Sequence, residues 1–435
     1  MGGAAGGGGA VMSVPMPPAA LATLFLLDLA VILATCRLVG WAARRWLGQP
    51  QVVGEMIAGI VLGPSLLGVL APGLEATLFP DPAKGLLNAG AQLGVGLYMF
   101  LVGLSFDRAE FRSSARGAAL VSVAGLVVPF IAAAALVPWL LRVPGLFGAG
   151  IGAAQAGFFL GAAIAITAFP MLARIIVERG LAGTRLGTLS LSAGAIGDAG
   201  AWIVVALVLA STGAGAIVAW RAGLGGLAFA VVTIGIAPRL LAPLGRRAER
   251  DGVGDGMLAG VLILFLASAW VMDAVGMHAV FGGFLLGTAM PRGRLAREVR
   301  DKVQPFATLV LLPMFFTYSG LNTHLQVLGH LNLLAATCAI LAAAILAKGG
   351  ASYLAARAIG ESHADALSIG ALMNARGLME LIIINIGLTH GVIAPGLFAM
   401  LVLMAIVTTL MASWLVALAA RASRPSAGGA VPQPA

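Results

Sequence analysis

Apolar runs, most of them about 20 residues long, constrain the fold of this chain more than any other feature. A helix needs about 20 apolar residues to cross the hydrocarbon core of a bilayer. The composition agrees, because 60% of the residues are hydrophobic and 10% are charged, against about 25% charged in soluble domains. The chain is therefore predicted to be an all-α polytopic membrane protein with thirteen transmembrane helices. The thirteen runs lie at residues 19–43, 51–70, 86–106, 115–141, 149–177, 186–211, 215–243, 256–273, 276–291, 303–321, 331–356, 364–388 and 393–420.

The basic residues follow the loops between these runs. When Lys and Arg are assigned to alternate sides of the membrane, one side collects 20 and the other 3. Only Arg37, Lys348 and Arg376 remain inside apolar runs. The positive-inside rule then predicts an external N-terminus and a cytoplasmic C-terminus, in a bacterial inner (plasma) membrane. Because the net charge of +9 is spread over short loops, we expect membrane lipid and no nucleic acid as a partner.

Outside the apolar runs the chain offers little chemistry. Residues 1–18 lack the basic start of a signal peptide, and we expect residues 1–18 and 422–435 to be disordered tails of a transmembrane domain at 19–421. Cys36 and Cys338 fall in apolar runs without a CxxC pair, which predicts neither a disulfide nor a resident metal. The sequence contains no GxSxG motif, phosphate-binding loop or metal-ligand cluster. It therefore indicates a protein that is not an enzyme, with no catalytic residues and no cofactor.

Asp198 is the only ionisable residue in the run from about 186 to 210. A carboxylate near the middle of a membrane costs about 2.5–3.5 kcal/mol on insertion scales, and such groups face a cavity, a partner charge or a transported ion. The surrounding Gly and Ala residues leave room for a cavity. We therefore expect the rest of the chain to provide scaffold, partner charges and gates for Asp198.

Two short motifs recur with an offset of seven runs. The second run contains AGIVLG at 58–63 and the ninth GGFLLG at 282–287. The third and tenth runs share a second motif, at 96–107 and 312–322, in which Met-Phe is followed by Gly-Leu and a polar residue. Since seven is odd, the two copies face opposite ways, and inverted repeats are typical of secondary transporters whose site lies at the repeat interface.

By the same offset the fifth run pairs with the twelfth, and each contains a helix-breaking residue. Pro170 removes a backbone donor and clashes with the preceding turn, so carbonyls freed near Thr167 are candidate ligands for a cation where they line a cavity. Gly377 weakens the twelfth run beside Arg376 and Glu380. These two charges are i,i+4 neighbours, and they either simply neutralise each other or set the field around a site.

Lys348 lies toward the cytoplasmic end of the eleventh run and has two interpretations. A lysine near a helix end can extend to the interface. Alternatively, it is a partner for Asp198 on a facing helix. For Asp28, Glu55 and Asp273, which lie near the ends of runs, we expect interfacial anchoring.

Asp198, the break between Thr167 and Pro170, and Lys348 together resemble the monovalent cation:proton antiporters. The resemblance is strongest to the branch with plant cation/H⁺ exchangers and bacterial potassium-efflux and NapA-type antiporters, and it covers about residues 20–420. Three motifs carry it: GEMIAGIVLGP at 54–64, ITAFPMLARII at 166–176 and NARGLMEL at 374–381.

This resemblance implies a core domain with two crossed, broken helices and a dimerisation domain that uses runs one and eight of a homodimer. It implies that Asp198 binds the ion, that Lys348 is the core lysine, and that the physiological role is pH or sodium homeostasis. The sequence departs from the family at Gly197, where an Asp or Asn usually precedes the aspartate.

The expected activity is exchange of Na⁺ or K⁺ for H⁺ by alternating access. Ionised Asp198 with a cation and protonated Asp198 are both neutral loads, whereas moving the bare anion costs about 2.3 kcal/mol per 100 mV. With Gly197 in place of a second carboxylate, one proton per cation and electroneutral exchange are expected. Two alternatives stay open: an organic-anion carrier on the same fold, in which Arg376 binds the anion, and a transport-inactive membrane sensor.

Overall fold

The computed structural model describes most of the chain. The described residues are 17–49, 51–106, 108–209, 216–277, 279–323, 331–377, 380, 383–384, 387–388 and 390–422. Their regular structure is helical, and within these ranges the only extended pairing is an isolated antiparallel bridge between Phe147 and Ile393. The predicted terminal tails lie almost entirely outside the described residues. An all-α architecture is confirmed.

The helices follow the apolar runs, with breaks in several of them. Two π-helical segments, π1 (Ala307–Leu311) and π2 (Ala344–Gly350), each lie between two α-helices. The α-helices are α1 (Pro18–Leu47), α2 (Gln51–Leu62), α3 (Leu67–Leu70), α4 (Pro72–Leu78), α5 (Asp81–Ser105), α6 (Arg108–Leu140), α7 (Ala153–Ala165), α8 (Phe169–Glu178), α9 (Arg185–Leu209), α10 (Ala216–Gly235), α11 (Ala237–Asp251), α12 (Asp255–Ala274), α13 (Ala279–Ala289), α14 (Arg294–Phe306), α15 (Leu312–Leu321), α16 (Leu331–Ala343), α17 (Ala351–Ala358), α18 (His363–Leu372) and α19 (Pro395–Ala422).

Local sequence explains where several helices begin and end. Gly48 adopts a left-handed conformation (φ 60°) that stops α1, as glycine commonly does after a helix. Ser362 caps α18, where its hydroxyl accepts a hydrogen bond from the Asp365 backbone N–H at 3.0 Å. Prolines near the first turns of α1, α4, α5, α8 and α11 occupy positions where the missing N–H costs little.

By length and composition, seven described helical segments can cross a membrane, and an eighth is gained if the bent pair 223–235 and 237–251 forms one span. Two shorter apolar helices, α7 and α13, fall below the length of a full span. The chain is thus an integral membrane protein. The predicted number of thirteen exceeds this count of seven or eight.

The helices pack as two bundles. The scaffold bundle contains α1, α2, α5, α12, α13 and α15, with its closest pairings between α5 and α13, α1 and α2, and α2 and α15. The core bundle contains α6 to α9 and α16 to α19, with its closest pairings between α6 and α7, α6 and α9, and α18 and α19. Helix α10 packs on both α9 and α13 and so joins the two bundles. A hydrophobic cluster that includes Ile32, Phe100, Phe265 and Leu286 joins the scaffold helices and extends to α11 and α14.

Glycines let the scaffold helices approach backbone to backbone. A Cβ at Gly59 of α2 would lie 2.1 Å from the carbonyl oxygen of Phe316 on α15. A Cβ at Gly287 of α13 would lie 2.2 Å from the carbonyl oxygen of Phe100 on α5. Both contacts exclude any side chain, which is how small residues act between membrane helices. The glycines thus fix the two pairings that make the scaffold rigid.

Candidate functional site

The fifth apolar run is broken, as predicted, into α7 and α8. Helix α7 ends at Ala165, and Ile166 and Ala168 adopt extended conformations (ψ 135° and 92°). Pro170 lies in the first turn of α8. Because proline has no N–H and its ring clashes with the carbonyl four residues earlier, Pro170 prevents the helix from continuing through Ile166. The sequence around Pro170 is therefore enough to predict this break.

The second break follows α18, and the two breaks cross. The Ala168 backbone N–H donates to the carbonyl oxygen of Ala375 at 2.9 Å. The Thr167 hydroxyl donates to the carbonyl oxygen of Met373 at 3.0 Å. At Gly377 an added Cβ would lie 3.2 Å from the Cβ of Ala168, so a small residue is needed for the crossing. The predicted site residues Thr167, Pro170 and Gly377 therefore lie together.

Two buried cations cap the broken end of α7. The Arg376 guanidinium donates from Nη1 to the carbonyl oxygen of Ala163 at 2.6 Å and from Nη2 to that of Ile164 at 2.7 Å. The Lys348 ammonium donates to the carbonyl oxygen of Ala165. The last carbonyls of a helix have no partner within it, and the C-terminal end carries a partial negative charge. Lys348 and Arg376 satisfy both needs at a helix end that lies inside the protein.

The charges at this crossing are withdrawn from solvent. Arg376 and Glu380 are each 0% exposed, and Lys348 is 2% exposed. Arg376 Nη1 lies 3.3 Å from Glu380 Oε1, which makes a buried ion pair. The second oxygen of Glu380, Oε2, and the Asn374 side-chain oxygen Oδ1 are buried without a hydrogen-bond partner among the described residues. The centre thus contains fixed charge and unsatisfied oxygen acceptors.

Helix α9 passes beside this centre, and the backbones of Gly197 and Asp198 are part of this helix. The side chain of Asp198 lies outside what the structure describes. An added Cβ at Gly197 would lie 3.2 Å from the Ser122 hydroxyl oxygen on α6. An added Cβ at Gly194 would lie 2.5 Å from a methyl carbon of Leu172 on α8. Helix α9 is thus packed closely against α6 on one side and α8 on another.

Three sequence interpretations can now be compared with the structure. Lys348 is buried in π2, so the interpretation that it extends to the interface is wrong. The pairing of Arg376 with Glu380 is confirmed, although Arg376 also caps α7. The carbonyls of residues 163–165, freed by the break, accept hydrogen bonds from these two cationic side chains.

Interfacial anchoring is wrong for two of the acidic residues. Glu55 is 2% exposed, and its carboxylate lies 3.4 Å from Arg174 Nη2 on α8, across the seam between the bundles. Asp28 is 0% exposed, and neither of its oxygens has a hydrogen-bond partner in the described part of the chain. Asp273, by contrast, is exposed near the end of α12. Arg174, four residues after Pro170, is the sequence feature that could have indicated a buried partner for Glu55.

Two cavities lie at the seam between the bundles. One of about 290 Å³ is lined by Tyr98 and Ser105 of α5, by Thr188 and Leu191 of α9 and by Gln304 of α14. The other, of about 30 Å³, reaches Arg376 and Gly377 from the α2 and α15 side. The larger cavity is also lined by Arg300 of the basic helix α14. No group of three metal-ligating side chains occurs among the described residues.

Comparison with known proteins agrees with this arrangement. A family model described as the transmembrane sodium/hydrogen exchanger matches residues 30–421. The Na⁺/H⁺ antiporter NhaS4 of Synechocystis is 38% identical over 399 residues, which cover 90% of this chain and 96% of that protein. Cation/H⁺ antiporter 17 of Arabidopsis thaliana is 33% identical over 401 residues, 90% of this chain. The chain spans about half the length of that plant relative, with 48% covered.

The fold also resembles a solved structure. The sodium proton antiporter MjNhaP1 of Methanocaldococcus jannaschii superposes with a TM-score of 0.61, over 92% of this chain and 99% of that one. The sequence identity is 14%, so the resemblance concerns the fold alone.

Proposed function

Because this chain belongs to the sodium/hydrogen exchanger family, we propose that it exchanges Na⁺ or K⁺ for H⁺ at a site formed by Asp198 and the two crossed helix breaks. It is an integral membrane antiporter and not an enzyme. The observation that carries the site is the capping of α7 by Lys348 and Arg376. Two buried cations and a broken helix at one point are costly in a membrane, and such groups mark ion pathways.

The position of Asp198 supports its role. It lies one helical turn after Gly194, which packs against α8 directly after the break. Residues four apart share a helix face, so position 198 lies on the side of α9 that meets the crossing. The Thr167 hydroxyl donates its proton to Met373 and retains acceptor capacity for a cation. We assign the cation to Asp198 and Thr167.

The charges at the centre favour exchange of one proton for one cation. Lys348 and Arg376 are balanced by Glu380 and an ionised Asp198. A bound monovalent cation and a bound proton then add the same charge, so a full cycle transfers none. The close approach of Gly197 to Ser122 supports a single carboxylate, because a side chain at residue 197 would require the Ser122 hydroxyl to shift. We therefore propose electroneutral exchange.

The glycine contacts support inverted repeats. Gly59, in the second run, meets the tenth run at Phe316, and Gly287, in the ninth run, meets the third at Phe100. These are equivalent contacts under an offset of seven runs. If α7 with α8 forms one broken span and α18 begins another, thirteen spans result. With thirteen spans and the positive-inside rule, we propose an external N-terminus and a cytoplasmic C-terminus.

Two bundles with cavities of unequal size suit alternating access. We propose that the scaffold bundle stays fixed while the core bundle rocks past it. The larger cavity runs beside α9 to Leu191, seven residues before Asp198, and is the cytoplasmic entry. The exposed faces of α1 and α12 carry large apolar side chains such as Leu38, Trp41 and Trp270. We assign these faces to a homodimer contact in a bacterial inner membrane.

No observation favours the organic-anion alternative. Nη1 and Nη2 of Arg376 are already engaged by Ala163, Ile164 and Glu380, and the residue is fully buried. An anion would have to displace these contacts. The inactive-sensor alternative is decided by a transport measurement.

The test is cation-driven proton movement in proteoliposomes. Vesicles that are acidic inside and contain a pH-sensitive dye receive Na⁺, K⁺ or Li⁺ outside. We expect the wild type to alkalinise the interior with at least one cation, and Asp198→Asn to give no response. Asp273→Asn, the same substitution at an exposed site of α12, is the matched control and should behave as wild type. Equal activity in Asp198→Asn and the control would contradict the site, and silence of the wild type with every cation would contradict the function.

A further inference from the structure

A basic cavity of about 450 Å³ lies at the seam between the bundles. Arg37 and Arg44 line it from α1, on the scaffold side. Arg174 and Arg179 line it from the end of α8, on the core side, and Glu178 is the one acid among its lining residues. Four arginines against this carboxylate and that of Glu55, which pairs with Arg174, leave an excess of positive charge. The mechanism of cation exchange makes no use of this cavity.

On the core side, Arg174 is held in place with one nitrogen to spare. Its Nε donates to Glu178 Oε1 at 2.7 Å, and Nη2 lies 3.4 Å from both oxygens of Glu55. Nη1 is buried and has no hydrogen-bond partner among the described residues. Arg174 is 9% exposed, so this donor is desolvated, and a buried donor without an acceptor is costly. The fixed guanidinium thus presents an unused donor beside the cavity.

On the scaffold side, Arg37 and Arg44 are both exposed. They are seven residues apart on α1, about two helical turns, and so lie on one face. No acidic side chain in the described part of the chain lies within ion-pair distance of either. Two exposed arginines without an acid partner, opposite a fixed third one, form an arrangement that attracts an anion.

We propose that this cavity binds a phosphate-bearing anion. Guanidinium groups match phosphate oxygens through paired N–H donors, and arginine is favoured over lysine where such recognition matters. The volume of the cavity falls within the range of about 300–1,000 Å³ that is usual for small-molecule sites. Phosphate oxygens would satisfy Arg174 Nη1 and neutralise Arg37 and Arg44.

The level of the cavity places it within reach of lipid headgroups. Trp41 and Trp46 flank Arg44 on α1 and are exposed, and tryptophans concentrate at the membrane–water interface. Basic pockets between membrane helices on the cytoplasmic side accept anionic headgroups. The same phosphate chemistry is also offered by free phosphate in the cytoplasm, and the experiment below distinguishes the two sources.

A bound phosphate would connect the two bundles. It would join Arg37 and Arg44 of the scaffold to Arg174 and Arg179 of the core, beside the direct contact of Arg179 with the Gly48 carbonyl at 3.2 Å. Occupancy therefore stabilises the arrangement in which these groups face one another. Binding itself does not depend on the proposed exchange activity.

The experiment measures the thermal stability of delipidated protein in a neutral detergent. One series adds inorganic phosphate, with potassium chloride at equal ionic strength as the reference. A second adds phosphatidylglycerol, with phosphatidylcholine as the reference. The variant is Arg37→Gln/Arg44→Gln, which breaks no ion pair among the described residues. Arg45→Gln, at an exposed neighbour on α1 outside the cavity, is the matched control.

We expect phosphatidylglycerol or phosphate to raise the melting temperature of the wild type and of Arg45→Gln. In the double variant the apparent affinity should fall by about tenfold or more, since each basic residue near an anionic surface contributes about a factor of five. A rise with phosphatidylglycerol but not phosphate identifies a lipid site, and the reverse identifies a free-anion site. Equal shifts in the double variant and the wild type, or an equal loss in Arg45→Gln, would overturn the proposal. Because no transport is measured, its failure is distinct from failure of the exchange function.

Discussion

Lys348 lies on π2 and Arg376 in the break after α18, yet their side chains end on successive carbonyl oxygens of α7. Arg376 reaches Ile164 at 2.7 Å, and Lys348 reaches Ala165. A helix end inside a membrane protein has no water to satisfy it. The two cations substitute for that water, so the stability of the core bundle and the proposed ion site depend on the same pair of residues.

Lys348→Met tests this dependence. The substitution leaves the carbonyl of Ala165 without its cationic donor, and a buried unsatisfied carbonyl costs about 1–3 kcal/mol. We expect a lower melting temperature in detergent and slower exchange in vesicles. Lys84→Met, at a lysine paired with Asp81 near the start of α5, is the control. Its free energy of unfolding should stay within about 0.5 kcal/mol of that of the wild type. A Lys348→Met variant that melts like this control would show that the cap is dispensable.

The buried pair of Arg376 and Glu380 predicts a non-additive result. Removing Arg376 alone leaves Glu380 without its partner, which typically costs about 3–5 kcal/mol for a buried charge. Arg376→Gln/Glu380→Gln removes that stranded charge, so we expect the double variant to be more stable than Arg376→Gln by about 1 kcal/mol or more. Denaturation of the two single variants and the double variant provides the cycle. A double variant less stable than Arg376→Gln would contradict the pairing.

The contact between Gly197 and Ser122 predicts the effect of introducing a second carboxylate at position 197. The hydroxyl of Ser122 lies 3.2 Å from where a Cβ at residue 197 would be placed. We expect Gly197→Asp to be destabilised and Ser122→Ala to relieve it. If the single carboxylate limits exchange to one proton per cation, the variant Gly197→Asp/Ser122→Ala moves more than one proton per cation. It then builds a membrane potential, which a potential-sensitive dye reports. Gly197→Ala controls for the added Cβ. A potential in the wild type would contradict electroneutral exchange.

The glycine contacts of the scaffold give a prediction independent of transport. Gly59→Ala would place a methyl group 2.1 Å from the carbonyl oxygen of Phe316, which forces α2 and α15 apart. Overpacking of this kind costs about 1–3 kcal/mol, and a lower melting temperature is expected. Gly85→Ala is the matched control, because no atom lies within 4 Å of the added Cβ and alanine favours helix over glycine. Equal melting of the two variants would refute the close approach.

The sequence predicts features whose causes are local. Pro170 breaks its helix through its own ring and missing N–H, whereas Gly377 weakens the second helix because glycine loses more backbone entropy on folding than any other residue. The apolar runs predict the all-α membrane fold because the length of an apolar segment depends only on consecutive residues. The ion pair of Arg376 with Glu380 follows from their i,i+4 spacing.

Tertiary contacts explain what the sequence leaves out. Nothing near Lys348 in the sequence indicates Ala165, 183 residues away, and so the capping of α7 is absent from both sequence interpretations of this lysine. Glu55 resembles an interfacial anchor because Arg174, its partner, lies on another bundle. Ser122 has no motif around it, and its relevance follows only from the packing of α6 on Gly197.

The most direct test of the central claim is proton release on cation binding. The purified protein in weakly buffered detergent receives Na⁺ or K⁺ while the pH is recorded. If one carboxylate holds either a proton or a cation, the wild type releases protons with at least one of these ions, Asp198→Asn releases none, and Asp273→Asn behaves as wild type. Undiminished release from Asp198→Asn would show that exchange takes place elsewhere in the molecule.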